Sequence, residues 1–325
     1  MELELVSRAG YPFLGIPAGG LHGVALLNAV RNGWQLMRGF LAARRHLRAE
    51  RPDAVLTTGG FLSVPVAMAA RSRGVPVLVF LPDIEPAESV KAVARFADRV
   101  AATVEDSRVF LPADKVVVTG YPLRQELVRW TRETGREVLG LDAAERVVLV
   151  FGGSRGARSI NRALLVNVAD LTELATVIHV TGHLDWEEVS RARLLLPDAV
   201  QARYQAYAYL HDEMGAAIAA SDLVVCRAGA SVLAELPYFG VPSVLVPYPY
   251  AWRYQRVNAD WLARRQAALV VEDAELPSRM LGVIRDLLTD EQRLSAMATA
   301  ARQLARPDAA EQVARLLVSL AGGVK

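Results

Sequence analysis

The sequence contains very little cysteine and no long apolar run, and these two absences exclude several classes of protein. Cys226 is the one cysteine among 325 residues, so an intrachain disulfide framework and a cysteine-based zinc site are both excluded. No apolar segment reaches the ~18 residues of a membrane-spanning helix, and Glu2 and Glu4 stand where a signal peptide has basic residues. The sequence therefore predicts a protein of the reducing cytoplasm.

The sequence also lacks a strong excess of either charge. It has 37 lysines and arginines against 35 aspartates and glutamates, which gives a formal net charge of +2. Nucleic-acid-binding domains usually carry a clear basic excess, so we expect no nucleic-acid partner. With 52% hydrophobic residues, the chain has enough apolar side chains for two domains of roughly 150 residues each.

What the sequence does contain is a regular alternation of short apolar runs and longer helix-like segments. This alternation is typical of parallel β-α-β units, and uninterrupted apolar runs indicate strands that are buried on both faces. We therefore predict an α/β fold with two doubly wound, Rossmann-like lobes. The predicted strands are 54–58, 75–80, 99–103, 115–119, 147–151, 176–180, 223–226 and 243–246.

The predicted domain boundaries follow from one stretch without a strand pattern. Residues 123–144 carry many charges together with Gly135 and Gly140, which is typical of a connection between domains. The N-terminal lobe is then 1–122 and the C-terminal lobe 145–305. Residues 306–325 are predicted to form a last amphipathic helix.

The first candidate ligand site is a glycine-rich turn between a predicted strand and a predicted helix. It runs from Gly152 to Ala157. Such a turn presents backbone N–H groups at the positive end of a helix dipole, which favours phosphate, and Ser154 adds a hydroxyl donor. Close packing of the strand against the helix is the alternative role for these glycines.

A second turn, from Cys226 to Ser231, has the same position between a strand and a helix. Ser231 and Glu235 are four residues apart and therefore share one helical face. A phosphate bound at the start of this helix places a sugar hydroxyl pair near the Glu235 carboxylate. A solvated acid that stabilises the helix dipole is the alternative. Two such turns in one lobe favour a nucleotide diphosphate as the ligand.

The loop after the strand 243–246 leads to two amide side chains, Gln255 and Asn258. Loops at the carboxyl ends of parallel strands are where doubly wound sheets bind ligands, so Gln255 is a candidate for contact with sugar hydroxyls. Asn258 is equally well explained as a helix-capping or packing residue.

Taken in order, these segments resemble the successive motifs of the MurG family of glycosyltransferases. The C-terminal lobe contributes GGSRGAR from Gly152, CRAGA from Cys226 and QRVNA from Gln255; the N-terminal lobe contributes TGGF from Thr58 and GYPLR from Gly120. The resemblance covers nearly the whole chain and implies a GT-B fold. It also implies transfer of N-acetylglucosamine from UDP-N-acetylglucosamine to the lipid-linked muramyl-pentapeptide of peptidoglycan synthesis.

The resemblance implies roles for individual residues. The backbone near Leu210 is expected to pair with uracil, Glu235 to hold the ribose and Gln255 to contact the sugar, while Arg124 is expected near the nucleotide. The residues expected to face the diphosphate are Ser154, Arg155, Gly156, Gly229, Ala230 and Ser231. We expect an inverting reaction without a metal ion or other cofactor, since proteins of this fold usually neutralise the leaving diphosphate with helix dipoles.

The N-terminal lobe departs from the family pattern at two places. The family's first glycine-rich β-α-β portion, with its histidine, has no counterpart in this sequence, so we expect an incomplete N-terminal lobe. A misassigned start, a rearranged lobe and a partner that covers the gap are the alternatives. The family's His-Glu-Gln-Asn stretch is replaced by residues 80–83, which end in Asp83 and are followed by Glu85. Transfer to a hydroxyl needs a base within hydrogen-bonding reach, and these two acids are the nearest candidates. A solvent-exposed turn between two prolines is the alternative.

The segment 26–51 combines an apolar face with strong positive charge. Its arginines are Arg31, Arg38, Arg44, Arg45, Arg48 and Arg51, and its large apolar residues include Trp34, Met37, Phe40 and Leu41. A basic amphipathic helix suits an anionic membrane surface, whereas snorkelling arginines on an ordinary surface helix are the alternative. Because the implied acceptor is lipid-linked, we predict peripheral attachment to the inner face of the cell membrane.

Two other enzyme classes fit parts of the sequence less well. The segment 152–156 fits the G-x-S-x-G turn of α/β hydrolases, but no histidine follows the later strands. A dehydrogenase is disfavoured because the turn lacks the spacing of G-x-G-x-x-G and no acid ends the next strand, at Val180. Two alternatives stay open, because the departures lie outside the donor motifs: a UDP-sugar-binding protein without transferase activity, and a transferase with another acceptor.

Overall fold

The computed structural model describes residues 3, 6–7, 9–16, 26–153, 156–250 and 254–322, with side chains in the first long helix described from Trp34 onward. The chain divides into two compact units. The first consists of residues 1–81, 86–118 and 311–325, and the second of 82–85 and 119–310. The short segment 82–85 therefore belongs by its contacts to the second unit, although its neighbours in sequence belong to the first.

The first unit contains a parallel sheet whose strands follow one another in chain order. The order is β1-β2-β3-β4, and every pair is parallel. All five residues of β2 are buried, as expected for an apolar strand covered on both faces. The elements of this unit are α1 (Leu26–Glu50), β1 (Val55–Thr57), α2 (Ser63–Arg71), β2 (Val77–Leu81), α3 (Glu88–Phe96), β3 (Arg99–Ala102), a 3-10 helix (Glu105–Phe110) and β4 (Val116–Val118).

The second unit contains a parallel sheet of six described strands in the order β10-β9-β8-β5-β6-β7. The central strands are buried along their whole length, because each consists of consecutive β-branched and aliphatic residues. Their bounds are β5 (Val147–Phe151), β6 (Thr176–Val180), β7 (Tyr204–Tyr207), β8 (Leu223–Cys226), β9 (Ser243–Leu245) and β10 (Ala268–Val270).

Helices cover both faces of this second sheet and build its core. The side chains of α6 pack on β5 and β6, and α12 packs against α6. The helices of the second unit are α4 (Gln125–Val128), α5 (Arg132–Val138), α6 (Arg158–Leu174), α7 (Trp186–Leu194), α8 (Asp198–Ala202), α9 (Glu213–Ala220), α10 (Val232–Phe239), α11 (Tyr254–Arg264), α12 (Leu276–Thr289) and α13 (Glu291–Gln303). The last helix, α14 (Ala309–Gly322), lies almost wholly in the first unit. Within the described ranges, every helix is too short or too polar to cross a bilayer.

All eight strands expected from the sequence are present, and two further strands were missed. The missed strands, β7 and β10, form the two edges of the six-stranded sheet. Edge strands need less apolar cover, and β7, with one buried residue in four, has no clear apolar run. β10 lies within the short apolar run 267–271, which was not assigned as a strand. Residues 123–144, which the sequence suggested as a connection, carry α4 and α5 and lie in the second unit.

Candidate functional site

The two glycine-containing turns follow the carboxyl ends of β5 and β8, which are neighbouring strands of the six-stranded sheet. From β5 the chain winds outward through β6 to β7, and then returns to the other side of β5 as β8. Phe151 ends β5 in register with Cys226, which ends β8. Doubly wound sheets bind ligands in the crevice outside the carboxyl ends of the strands at such a point of reversal. The strand order thus brings together two turns that are more than 70 residues apart.

Two glycines of the first turn are required by close backbone packing. A Cβ on Gly156 would lie 2.2 Å from the carbonyl oxygen of Thr181, and its φ of +78° is one that side chains rarely adopt. A Cβ on Gly152 would lie 2.3 Å from the backbone nitrogen of Ala157. The packing alternative therefore holds for these two positions, and it fixes the turn close to the end of β6. The predicted contacts Ser154 and Arg155 lie outside the described residues.

The second turn differs from the first because there is open space around its glycine, Gly229. No described atom lies within 4 Å of a Cβ placed on Gly229, so glycine is not demanded by packing there and a ligand can approach the backbone closely. Ala230 follows it, and Ser231 is the residue directly before α10, without a capping hydrogen bond from its side chain. The Ser231 hydroxyl donates to the Glu235 carboxylate over 3.1 Å, which shows that both side chains share one face of the helix.

Glu235 is a half-buried acid in a cluster of charged and phenolic groups. Burial raises the pKa of its carboxyl, while the Ser231 hydrogen bond and the positive charge of Arg124 oppose that rise. The same cluster includes Tyr121, whose phenol has its pKa raised by burial and by the charges of Glu235 and Asp83. The structure therefore gathers Arg124, Glu235 and Asp83 around one phenol. Tyr121 belongs to the GYPLR motif quoted above, but the motif by itself assigned it no role.

Asn258 joins the segment 82–85 to the second glycine turn. Its amide nitrogen donates to Asp83 Oδ1 over 2.8 Å and to the carbonyl oxygen of Ala228 over 3.1 Å, and its Oδ1 accepts from the backbone N–H of Ile84 over 3.3 Å. The Asn258 side chain is completely buried. It is thus a packing residue that fixes Asp83, one of the two interpretations left open by the sequence.

Asp83 is partly buried, as is the second candidate base, Glu85. Burial raises the pKa of the Asp83 carboxyl, and the hydrogen bond from Asn258 partly offsets that rise. The alternative of a freely solvated turn is therefore wrong for Asp83. A partly buried carboxylate with a raised pKa is the kind of group that general-base catalysis uses.

Gln255, in the first turn of α11, and Leu210, in the loop after β7, both follow the carboxyl ends of strands of the second sheet. The Gln255 Oε1 accepts from the backbone N–H of Tyr248 over 2.9 Å, so the loop after β9 holds this side chain at the start of α11. Leu210 is buried in the loop after β7, beside Tyr209. The Tyr209 ring stacks on His183 at 5.5 Å and meets the edge of His211 at 4.7 Å. These rings give the loop around Leu210 a fixed shape.

A buried hydrogen-bonded chain, which the sequence did not reveal, supports the start of α6. The Asn161 amide nitrogen donates to Asp185 and to the carbonyl oxygen of Thr181, each over 2.9 Å, so its Oδ1 is left to accept from His179 Nε2. Burial lowers the pKa of His179 to about 3, so the folded imidazole is neutral. With its proton on Nε2, the ring accepts from the Tyr204 hydroxyl at Nδ1, over 2.7 Å.

Acidification is expected to destabilise the protein through His179. An unfolded chain takes up a proton near the ordinary pKa of 6.5, whereas the folded histidine stays neutral down to about 3, so its contribution is complete above pH 6.5 and declines as the pH falls through this interval. The slope is at most ~1.4 kcal/mol per pH unit. Urea unfolding of wild type and His179→Gln between pH 7 and 4 measures it. The stability difference between the two proteins should shrink with falling pH; a constant difference would contradict the neutral buried imidazole.

A cavity with charged side chains in its wall lies at the other end of the second sheet, where the strands begin. It has a volume of about 740 Å³, lies near the starts of β5, β8 and β9 and includes Arg132, Arg146 and Asp222 in its wall. The Asp222 carboxylate accepts from the backbone N–H of Val147 over 2.8 Å and from Arg136 over 3.1 Å. These contacts tie α5 to the sheet. The lining of the cavity contains none of the candidate site residues.

No group of three or more histidine, cysteine, aspartate or glutamate side chains within the described ranges has the arrangement of a metal site. The described part of the candidate site contains backbone N–H groups, hydroxyl and amide side chains, and three partly buried acids, Asp83, Glu85 and Glu235.

Two protein-family models match the chain. The C-terminal domain of glycosyltransferase family 28 matches residues 147–313, and the N-terminal domain of that family matches residues 1–102.

Several known proteins are similar over nearly the whole length. The UDP-N-acetylglucosamine--N-acetylmuramyl-(pentapeptide) pyrophosphoryl-undecaprenol N-acetylglucosamine transferase of Roseiflexus sp. (strain RS-1) is 41% identical, covering 98% of this chain and 81% of its own. The protein of the same name from Desulforamulus reducens is 36% identical, covering 96% and 86%. The crystal structure of Acinetobacter baumannii MurG superposes with a TM-score of 0.76 at 25% identity, covering 98% and 88%.

A UDP-GlcNAc 2-epimerase from Neisseria meningitidis, solved with UDP-GlcNAc bound, superposes with a TM-score of 0.68 at 13% identity over 98% of this chain and 88% of its own. At this level of identity the likeness extends to the fold alone.

Proposed function

This chain belongs to glycosyltransferase family 28 and to its MurG members, and we propose that it transfers N-acetylglucosamine from UDP-N-acetylglucosamine to a lipid-linked muramyl-pentapeptide, the lipid I to lipid II step of peptidoglycan synthesis. The geometric observation that carries the proposal is the pair of glycine turns at one edge of the sheet, with Glu235 one helical turn beyond the second. The relatives' names supply the donor and the acceptor. The predicted GT-B fold and family resemblance are confirmed by these matches.

In this proposal the donor binds along the carboxyl ends of the strands of the second sheet. The backbone near Leu210 pairs with the uracil, and Glu235 accepts hydrogen bonds from the ribose hydroxyls. Gln255 contacts the N-acetylglucosamine, and Arg124 lies beside the nucleotide. The diphosphate faces Ser154, Arg155, Gly156, Gly229, Ala230 and Ser231. Support comes from the open space before Gly229 and from α6 and α10, whose N-terminal ends follow the two turns and favour negative charge.

The proposed reaction is a single displacement at the anomeric carbon. The acceptor hydroxyl oxygen forms the new bond on one face of the sugar while the bond to the UDP oxygen breaks on the other, which inverts the configuration. The hydroxyl proton passes to a carboxylate, for which Asp83 is the first candidate and Glu85 the second. The charge that develops on UDP is stabilised by the N–H groups of the two turns, so the proposal includes no metal ion.

We also propose that α1 attaches the protein peripherally to the inner face of the cell membrane. Three large apolar side chains on α1 are exposed: Trp34 at 65%, Met37 at 52% and Leu41 at 56%. They repeat at helical spacing, and exposed arginines continue the same stripe at Arg44 and Arg48. The spacing and the exposure together support a lipid-facing surface rather than core packing.

Removing this surface is expected to weaken binding to anionic vesicles by about tenfold or more while transferase activity on a detergent-solubilised acceptor persists. The variant is Trp34→Ser with Leu41→Ser, and the measurement is co-sedimentation with vesicles of phosphatidylglycerol and phosphatidylcholine. Val166→Ser, which removes a 77% exposed apolar side chain from the second unit, is the matched control. Equal sedimentation of both variants and wild type would show that α1 does not face lipid.

The function itself is tested by following labelled N-acetylglucosamine from its UDP donor into a purified lipid-linked muramyl-pentapeptide. Donor binding is measured by calorimetry in the same preparation. Labelled lipid product is the expected outcome. Tight donor binding without product would instead favour another acceptor or a UDP-sugar-binding role without catalysis, and absence of donor binding would overturn the proposal.

A further inference from the structure

The Arg227 guanidinium joins the loops that follow four strands of the second sheet. Its Nη1 donates to the carbonyl oxygen of Val246 over 3.1 Å and to Asp273 Oδ1 over 2.5 Å, and its Nη2 donates to the Ser159 hydroxyl over 2.7 Å. Val246 follows β9, and Asp273 lies beyond β10. Ser159 lies in the first turn of α6, directly after the first glycine turn, while Arg227 itself begins the second.

Each of the three side chains Arg227, Ser159 and Asp273 is hydrogen-bonded to the other two. The Ser159 hydroxyl accepts from Arg227 and donates to Asp273 Oδ1 over 2.6 Å, and Arg227 also donates to Asp273. The aromatic ring of Tyr248 lies 5.2 Å from the guanidinium carbon and covers it. The backbone N–H of Tyr248 also donates to Gln255, the residue proposed to contact the sugar, so the cluster extends to that side chain.

The burial of this ion pair indicates a role beyond stability. The Arg227 side chain is 10% exposed and that of Asp273 is 22% exposed. Taking both charges out of water costs roughly as much as their attraction returns, so such a pair adds little net stability. The ion pair does fix the relative position of the two segments that carry it, because moving either segment would leave a buried charge without its partner. The geometry imposed here is the relative position of the two glycine turns.

We propose that Arg227, Ser159 and Asp273 form a positioning network that holds both turns in register for a single diphosphate. The inference rests on the proposed function, because it takes UDP as the leaving group. Backbone N–H groups on two separate loops must converge on the same few oxygen atoms, and misplacement by ~1 Å can cost on the order of 10²-fold in rate. None of the three side chains needs to touch the donor; they act through the backbone that does.

The test compares UDP with uridine, because uridine lacks the diphosphate. Asp273→Asn and Ser159→Ala are expected to raise the dissociation constant of UDP about tenfold, or ~1.4 kcal/mol, and that of uridine less than about twofold. Calorimetry gives the first constant, and displacement of a labelled UDP analogue gives the second. Ser159→Thr keeps the hydroxyl and is expected to bind UDP as wild type does. In turnover, the KM for the donor rises while the KM for the acceptor is unchanged.

Asp222→Asn provides the matched control. It removes a carboxylate from another arginine cluster in the same unit, at the opposite edge of the sheet, and is expected to lower the Tm while leaving the UDP constant unchanged. Equal weakening of UDP and uridine, or no change in UDP binding, would overturn the positioning role. A wild type that binds UDP but forms no product would contradict the proposed function alone. A wild type that does not bind UDP would overturn both.

Discussion

Asp83→Asn is expected to lower kcat by about 10²- to 10⁴-fold while changing the affinity for UDP less than about twofold, because removing a general base costs turnover and not donor binding. The substitution keeps the shape of the side chain. Asn258 donates to one carboxylate oxygen, and an amide oxygen at the same position can accept that hydrogen bond. The variant therefore removes the charge and the basic oxygen with little disturbance of the segment 82–85.

The pH dependence of kcat provides a second readout. A base works in its ionised form, so turnover falls as acid protonates Asp83; because burial raises the pKa of this carboxyl, the fall begins at a higher pH than for an exposed aspartate. Asp83→Asn is expected to lose this acidic limb. Glu85→Gln is the companion variant: if it loses turnover and Asp83→Asn does not, Glu85 is the base, and if neither loses turnover, both acids are structural.

Glu235→Ala is expected to weaken UDP binding by about 10- to 100-fold, because hydrogen bonds to a charged group contribute roughly 1.5–3 kcal/mol. The Ser231 hydroxyl donates to one carboxylate oxygen, so the other remains to accept from a ribose hydroxyl. Affinity is also expected to decline with falling pH, since burial raises the Glu235 pKa and the protonated acid is a poorer acceptor.

A donor analogue separates the ribose role from a structural one. With 2′,3′-dideoxy-UDP, which lacks the ribose hydroxyls, wild type and Glu235→Ala should bind equally well, because the interaction removed by the variant is already absent. Ser231→Ala controls for the hydrogen bond inside the helix. If Glu235→Ala weakens the dideoxy compound as much as UDP, Glu235 acts on the shape of the turn and not on the ribose.

The sequence by itself determined the class of fold and the local elements of the site. Runs such as 147–151 and 223–226 are long and apolar enough to specify buried parallel strands, and each is followed by a glycine-containing turn and a helix. The spacing of Ser231 and Glu235 fixes their common face, since helix geometry depends only on nearby residues. These features are local, which is why they could be predicted.

Only the tertiary structure decided which of these elements meet. The strand order places β5 beside β8, and no local pattern encodes that neighbour relation. Asn258 bonds Asp83 across 175 positions of sequence, and Arg227 bonds Asp273 across 46. The edge strand β7 was missed for the same reason: its pairing comes from neighbours that packing brings close, whereas periodicity reports only the face that a segment buries.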